Sequence, residues 1–122
     1  MHRIGTDIIE ISRVARAIEE HREEFLRRVF THREIACYRK KIPSLAARFA
    51  ATEAATKALG QSLFAISFRD IEVLSNPKGE PTICLYGKAK RQATETGIKK
   101  LTLSLSHCRE YAIATVIAWD EE

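Results

Sequence analysis

The chain has 122 residues, of which 45% are hydrophobic and 30% are charged, and its formal net charge at pH 7 is +4. This length suits one domain with a core of its own, and the hydrophobic content excludes a disordered chain. We expect neither a signal peptide nor a membrane span, because no apolar run approaches the roughly 20 residues that cross a bilayer.

A strand and two short helical segments are predicted at the start of the chain. Ile4–Ile11 has a strand-like pattern, and Ser12 is placed to cap a short helix over about Arg13–Glu20. A second helical segment follows, and it contains the apolar residues Phe25, Leu26, Val29 and Phe30.

Two further helices are predicted next. Thr31-His32-Arg33-Glu34 has the pattern of a capping box, in which a threonine and a glutamate three residues later satisfy backbone N–H groups, so a short helix is expected to start there. Ser44, directly after Pro43, is expected to open a long helix that runs to about Leu59 and ends at Gly60.

The second half of the chain is predicted to contain two pairs of strands, separated by a weak helix over Lys88–Thr96 that Gly97 closes. Asn76-Pro77-Lys78-Gly79 has the composition of a turn and joins the first pair. The four strands are Asp70–Leu74, Thr82–Leu85, Lys100–Ser106 and Tyr111–Trp119. This order of elements predicts the α+β class, with a mostly antiparallel arrangement of strands.

Asp7 is the first candidate for a functional residue. Alternate side chains of a strand share a face, so Asp7 shares one with Gly5, Ile9 and Ile11. A carboxylate on a mostly apolar face is costly unless a cation, a metal or a hydrogen bond meets it. The pattern alone leaves open that Asp7 caps a neighbouring backbone or pairs with an arginine.

The predicted long helix carries the second group of candidates. Its many alanines permit close approach on several sides, so we expect it to be central. Glu53 and Lys57 are four residues apart and therefore share one face, and Arg48 is expected near that side. The two alternatives are an ordinary surface pair, worth roughly 0.3–0.5 kcal/mol, and a buried pair with a chemical task.

Ser106 and His107 end the fourth predicted strand, where His107 continues the face of the leucines at 101, 103 and 105. The alternative is an ordinary core or edge histidine. The last strand, which is apolar on both faces, is predicted to lie in the core.

A run of basic residues follows the first strand. Arg16 lies one turn past Arg13, and three more arginines follow at 22, 27 and 28. They form either a solvated basic face or a docking surface for an acidic protein helix. The sequence has no glycine-rich phosphate loop, so phosphates would have to be held by a metal and cationic side chains.

The cysteines and phenylalanines bear on compartment and partner. Three cysteines without a CxxC spacing argue against a disulfide framework and suit a reducing cytoplasm. The net positive charge favours anionic partners. We do not expect a nucleic acid among them, because no recognisable nucleic-acid motif occurs and the five phenylalanines fall mainly at core-like positions.

Four stretches in order carry a family resemblance: Gly5–Ile11 followed by Arg13, Arg48–Gly60, Asp70–Val73 through Gly79–Pro81, and Ser106-His107 with Glu110–Ala112. Together they resemble the holo-acyl-carrier-protein synthases, the short 4′-phosphopantetheinyl transferases of bacterial fatty-acid synthesis. The resemblance covers essentially the whole chain, and it implies the fold of that family, with an antiparallel sheet packed against the long helix and short helices.

The resemblance also implies a reaction. A serine hydroxyl of apo acyl carrier protein attacks the β-phosphate of coenzyme A, the phosphopantetheine arm moves to that serine, and adenosine 3′,5′-bisphosphate leaves. Asp7 and Glu53 would hold a Mg²⁺ ion, and Lys57 would add positive charge at the phosphates. Either Glu53 or a water on the metal would take the serine proton.

The binding residues and the assembly are implied in the same way. Arg48 and His107 would contact the 3′-phosphate end of coenzyme A, while Arg13 and Arg16 would meet an acidic helix of the carrier protein. The family resemblance further implies a homotrimer with active sites between subunits, in which a neighbour supplies part of the coenzyme A pocket.

Two positions depart from the family pattern. Thr52 stands where the family usually has a lysine, and Gln61-Ser62 replace the usual Thr-Gly after Gly60. The missing lysine leaves three alternatives: it is dispensable, another cation such as Arg48 replaces it, or the enzyme is slower. It therefore also motivates a competing hypothesis, a catalytically weakened homologue that binds carrier protein.

Overall fold

A computed structural model describes residues 1–60 and 66–120 of the chain. These residues contain five strands, four α-helices and one short 3₁₀ helix at Phe68–Asp70. In chain order the strands and α-helices are β1 His2–Glu10, α1 Ile11–Val29, α2 His32–Tyr38, α3 Ile42–Ala58, β2 Ile71–Ser75, β3 Pro81–Leu85, α4 Gly87–Thr96, β4 Lys100–His107 and β5 Tyr111–Trp119.

The strands form two antiparallel sheets. In the larger sheet β5 lies between β1 and β4, so that Ala114 pairs with Asp7 on one side and with Leu105 on the other. The smaller sheet contains β2 and β3, joined by the predicted turn. The predicted α+β class is confirmed, and the strands are divided between two separate sheets.

Helix α3 is the centre of the fold, as its alanines predict. It packs on β1 and β5, and its residues Ala50, Ala54 and Ala58 have no exposed surface. Gly5 allows β1 and α3 to lie very close together, because a Cβ atom at this position would lie 1.9 Å from the carbonyl oxygen of Ala54. Small residues on both partners therefore set the distance between strand and helix.

The predicted helix boundaries are partly right. The capping box is confirmed, since Thr31 Oγ1 accepts from the Glu34 N–H at 3.2 Å and Glu34 Oε1 accepts from the Thr31 N–H at 3.0 Å. Ser12 does not cap its helix, because α1 begins directly after Glu10 without a side-chain cap. The two predicted helical segments are joined through Arg22, a single residue with φ 48°.

Similarly, Ser44 lies inside α3 rather than at its start. The helix begins at Ile42, and Pro43 occupies the first turn, where a missing N–H costs nothing. Gly60 follows the helix with φ +79°, in agreement with its predicted role as the stop.

The prediction that β5 is buried on both faces is wrong for the single chain. Ala112, Ala114 and Val116 are buried under α3, whereas Tyr111 and Ile113 on the other face are 43% and 41% exposed. The helices cover one face of the sheet, so an apolar sequence is not sufficient to bury both faces.

No helix within residues 1–60 and 66–120 has the length and apolar character needed to cross a membrane.

Candidate functional site

Two carboxylates and one ammonium group converge where β1 meets α3. Asp7 lies on the face of β1 that packs against α3, and its side chain is only 14% exposed. Lys57 Nζ donates to Asp7 Oδ1 at 3.2 Å and to the carbonyl oxygen of Thr6 at 3.0 Å. Glu53 stands one turn before Lys57 on α3, so all three predicted residues meet at one place.

Glu53 is half-buried and faces Asp7, and both features affect its ionisation. Burial, and then the negative charge and hydrogen bonding of Asp7, raise the pKa of Glu53 to about 7, although Lys57 and Arg13 act in the opposite direction. Two carboxylates repel each other in this half-buried position, and a divalent cation bound to both would reduce that repulsion.

The carboxylates open into a cavity of about 260 Å³ between β1, α1 and α3. Arg13 lies on its α1 side, and Phe25 and Phe49 provide apolar walls. The two phenylalanines were not predicted from the sequence as site residues. Phe49 could have been found, because it precedes Glu53 by four residues and therefore shares its helix face.

The donor set fits Mg²⁺ better than a metal that requires an all-protein cage. Within residues 1–60 and 66–120, no group of three or more histidines, cysteines or carboxylates could hold an ion. Mg²⁺ is usually bound by one or two carboxylates, and phosphates and water complete its octahedral shell. Asp7 and Glu53 therefore fit an ion that arrives together with a phosphate-bearing substrate.

Arg48 does not lie near Glu53, and this expectation is wrong. Five residues along an α-helix correspond to a rotation of roughly 140°, so the two side chains leave α3 on different sides. Arg48 is buried, with 5% exposure, and its Nε donates to the carbonyl oxygen of Val73 at 3.2 Å. Thr52, however, follows Arg48 by four residues and shares its face of α3, so the alternative that Arg48 replaces the missing lysine stays a prediction.

Arg48 and His107 nevertheless lie together, in a second cavity of about 310 Å³. His107 is exposed at the end of β4, and its pairing with Ala112 places it on the predicted sheet face. The structure thus divides the predicted residues of one chain into two groups, Asp7, Glu53 and Lys57 at one cavity, and Arg48 and His107 at the other.

The positions at which the sequence departs from the family pattern have different outcomes. Thr52 is buried, with 4% exposure, and its carbonyl oxygen accepts a hydrogen bond from Thr56 Oγ1 at 2.8 Å. Its side chain supplies no charge to either cavity. Gln61 and Ser62 lie outside the described residues.

Arg13 and Arg16 are exposed on α1, one turn apart. Arg13 lines the carboxylate cavity, and Arg16 lies outside its lining. The pair therefore forms a basic margin beside the carboxylates.

Comparisons with known proteins identify the family to which the chain is similar. Residues 3–116 match the family described as the 4′-phosphopantetheinyl transferase superfamily. A holo-[acyl-carrier-protein] synthase from Dehalococcoides mccartyi (strain CBDB1) is 51% identical over 116 residues, which are 95% of this chain and 97% of that protein. The chain also resembles a crystal structure of the Helicobacter pylori synthase in complex with coenzyme A, with 34% identity and a TM-score of 0.85 over 95% of this chain and 99% of that one.

An acyl carrier protein synthase from Plasmodium yoelii, with ADP bound, is similar in fold as well. Its TM-score is 0.87 and its identity 32%, and the match covers 97% of this chain and 96% of that chain. The similarity in fold therefore extends over nearly the whole chain.

Proposed function

Since this chain belongs to the 4′-phosphopantetheinyl transferase superfamily and transfers the 4′-phosphopantetheine arm of coenzyme A to apo acyl carrier protein, we propose that the transfer takes place at Asp7 and Glu53. The observation that carries this proposal is the convergence of these two carboxylates with Lys57 at one cavity. The arrangement suits a pyrophosphate, which needs compensation of several negative charges.

In the reaction the serine oxygen of the carrier protein forms a bond to the β-phosphorus of coenzyme A. The bond from that phosphorus to the bridging oxygen breaks, and adenosine 3′,5′-bisphosphate leaves with that oxygen. The serine proton passes to Glu53 or to a water beside it.

Asp7 and Glu53 would hold a Mg²⁺ ion, which when bound would neutralise charge on the pyrophosphate oxygens. Lys57 is exposed enough to contact a phosphate while it remains bonded to Asp7 and to the backbone of Thr6. Its ammonium group would orient the diphosphate and stabilise the leaving group.

Mass spectrometry of apo acyl carrier protein incubated with this chain, coenzyme A and Mg²⁺ tests the proposal. We expect a mass gain of one phosphopantetheine arm per carrier protein, its loss in excess EDTA, and its recovery when Mg²⁺ is restored in excess. Calorimetric binding of the carrier protein without any mass gain would instead favour the weakened homologue that Thr52 motivates. Transfer that persists in EDTA would contradict the metal assignment.

We place the carrier protein on the basic margin of α1. Arg16 is exposed and does not line the carboxylate cavity, so its substitution separates docking from chemistry. Arg16→Glu is expected to raise KM for the carrier protein about fivefold or more, with kcat and KM for coenzyme A nearly unchanged. Steady-state kinetics with each substrate varied in turn measures this split.

Lys99→Glu is the matched control for Arg16→Glu, because it makes the same change in net charge at an exposed position between α4 and β4. Arg16→Glu kinetics that match the control would contradict docking at this end of α1.

We also place the protein in the cytoplasm and in fatty-acid biosynthesis. The cytoplasmic location is supported by three exposed cysteines in the thiol form.

A homotrimer with shared active sites is supported by two observations. Ile4, Ile8 and Ile113 are 69%, 60% and 41% exposed on the uncovered face of the larger sheet, a pattern typical of a surface that a partner covers. In addition, Arg48 and His107 lie in a different cavity from Asp7 and Glu53, so one coenzyme A would reach both groups if a neighbouring subunit supplied the second.

Ile8→Asp is expected to convert trimers to monomers, because a carboxylate on that face would be buried without a partner in the assembly. Light scattering coupled to size-exclusion chromatography measures the mass, and circular dichroism checks that the chain still folds. Mixed subunits of Asp7→Ala and Arg48→Ala should regain the wild-type KM for coenzyme A, because some sites then combine Asp7 of one subunit with Arg48 of another. A wild-type protein that is monomeric in solution, or a mixture without recovery, would contradict the shared site.

A further inference from the structure

The outer edge of β2 is held by side chains from α2 and α3. Strand β2 pairs with β3 on one side, and on its other side the Val73 N–H donates to Glu34 Oε2 at 2.8 Å. The Val73 carbonyl oxygen accepts from Arg48 Nε at 3.2 Å, and the Ser75 N–H donates to the Tyr38 hydroxyl oxygen at 3.1 Å. Backbone groups that a strand edge would leave unpaired are thus satisfied by three side chains.

Arg48 carries a positive charge that interacts at longer range with the Glu34 carboxyl group but forms no ion pair among the described residues. Its other hydrogen bonds go to the Ser44 carbonyl oxygen at 3.4 Å and to Ser75 Oγ at 3.0 Å, both of which are neutral. Among the described residues no carboxylate lies within 4.0 Å of the guanidinium. A guanidinium has five N–H donors, so two remain for a ligand in the cavity that Arg48 lines.

A buried and unpaired charge is costly, and an anionic ligand is the simplest means of compensation. For this transferase we expect that anion to be the 3′-phosphate of coenzyme A. The roles inferred for the residues around Arg48 therefore rest on the proposed role of Arg48 in binding this phosphate. The guanidinium must also be held in place before that phosphate arrives.

We propose that Tyr38 and Glu34 are positioning residues that fix the Arg48 guanidinium for the 3′-phosphate. The Tyr38 ring lies against one face of the guanidinium, with Arg48 Cζ 3.7 Å from the ring centroid. The Tyr38 hydroxyl holds the backbone of Ser75, whose Oγ accepts from Arg48. Glu34 likewise holds the backbone of Val73, whose carbonyl oxygen accepts from Arg48.

The sequence spacing explains why one short helix can do both. Glu34 and Tyr38 are four residues apart on α2 and share a face, while Val73 and Ser75 are two apart on β2 and share an edge. The capping box that starts α2 also fixes Glu34, since its Oε1 accepts from the Thr31 N–H. Glu34 and Tyr38 thus fix the position of α2 relative to β2 at two points along the strand.

The test compares coenzyme A with 3′-dephospho-coenzyme A, which lacks only the proposed anion. For Arg48→Ala and for Tyr38→Leu, we expect KM for coenzyme A to rise about tenfold and about fivefold, respectively, with KM for the dephospho substrate nearly unchanged. Glu34→Gln should raise KM for coenzyme A about threefold, because the amide can accept only one of the two backbone N–H groups. Tyr38→Phe keeps the ring and should restore most of the loss.

Glu72→Gln is the matched control for Glu34→Gln. Glu72 is also buried, with 3% exposure, but it accepts hydrogen bonds from the hydroxyls of Thr31 and Tyr86 rather than from the backbone groups that anchor Arg48. Glu72→Gln should lower the midpoint of unfolding, but it should not change the ratio of KM for coenzyme A to KM for 3′-dephospho-coenzyme A.

Each result decides between the two assignments. If Arg48→Ala does not raise KM for coenzyme A more than KM for the dephospho substrate, Arg48 does not bind the 3′-phosphate, and the positioning role of Tyr38 and Glu34 is then wrong as well. If Arg48→Ala raises KM for coenzyme A selectively and neither Tyr38→Leu nor Glu34→Gln does, only the positioning role is wrong. Equal increases in KM for both substrates in the Tyr38 and Glu34 variants would indicate general damage and would also overturn the inference.

Discussion

Asp7→Asn and Glu53→Gln are each expected to lower kcat/KM for transfer by about 10²–10³-fold, while the chain remains folded. Each amide keeps the size of the side chain but removes one of the two charges that would hold a divalent cation. Loss of metal-assisted charge stabilisation costs several kcal/mol of barrier, and each 1.36 kcal/mol is about a factor of ten in rate. The mass-spectrometric transfer assay, followed over time, measures the effect.

A control on the same strand separates the site from the surface. Glu10→Gln removes an exposed carboxylate from β1, on the opposite face from Asp7, and should leave the transfer rate nearly unchanged. Near-normal turnover in both Asp7→Asn and Glu53→Gln at saturating Mg²⁺ would show that the carboxylates do not form the site.

The same Glu53→Gln variant predicts a change in how stability depends on pH. The folded-state pKa of Glu53, about 7, lies above the ordinary glutamate value of 4.5, so the folded protein binds a proton that the unfolded chain releases between these pH values. In the absence of metal, the wild-type free energy of unfolding should therefore fall as pH rises from about 4.5 to about 7.

Glu53→Gln should lose less stability than the wild type over that pH interval, because its amide does not titrate. Urea midpoints at pH 5 and pH 8 in EDTA measure the difference, and Glu34, whose pKa burial also raises to about 7, titrates in both proteins and largely cancels. Identical slopes in the two proteins would contradict the raised pKa of Glu53, which burial and the neighbouring Asp7 together cause.

The site carboxylates could be anticipated because both lie on elements with a strict period. A strand repeats every two residues and a helix every 3.6, so the faces of Asp7, Glu53 and Lys57 follow from their spacing alone. The same arithmetic places Arg48 on another side of α3, and the expectation that it lies near Glu53 neglected that rotation. Which elements those faces then contact is a tertiary property, and for these residues the family resemblance supplied it.

Local signals were reliable where the interaction itself is local. Thr31 and Glu34 satisfy each other across a single turn, and both hydrogen bonds form as the sequence predicts. Ser12 has the residue type of a cap, but β1 leads into α1 without a break, so the helix begins before it. The exposed face of β5 could not be anticipated from one chain, because an apolar sequence gives the same signal whether a helix or a second subunit covers it.

Gly5→Ala is expected to destabilise the fold strongly. The new Cβ would lie 1.9 Å from the Ala54 carbonyl oxygen, 2.9 Å from the Ala54 carbonyl carbon and 3.0 Å from the Ala58 nitrogen. All three are backbone atoms of α3, so no side chain can rotate away and the helix itself must move. Overpacking typically costs about 1–3 kcal/mol and more where the backbone cannot yield.

The displacement should also affect the chemistry. Asp7 lies two residues from Gly5 on the same face of β1, and Glu53 directly precedes Ala54 on α3. Moving the helix away from the strand therefore moves one carboxylate away from the other. We expect the melting temperature to fall by about 10 °C or more, at about 4 °C per kcal/mol for a domain of this intermediate size, together with most of the transfer activity.

Gly97→Ala is the control that separates steric from conformational cost. Gly97 has φ +79°, and a Cβ atom there would have nothing within 4 Å, so its substitution introduces only left-handed strain, about 1 kcal/mol. Gly5 has no positive φ, so its cost is steric alone. If calorimetry gives Gly5→Ala a melting temperature no lower than that of Gly97→Ala, with transfer activity intact, then β1 and α3 can separate without loss, and their close packing does not hold the two carboxylates together.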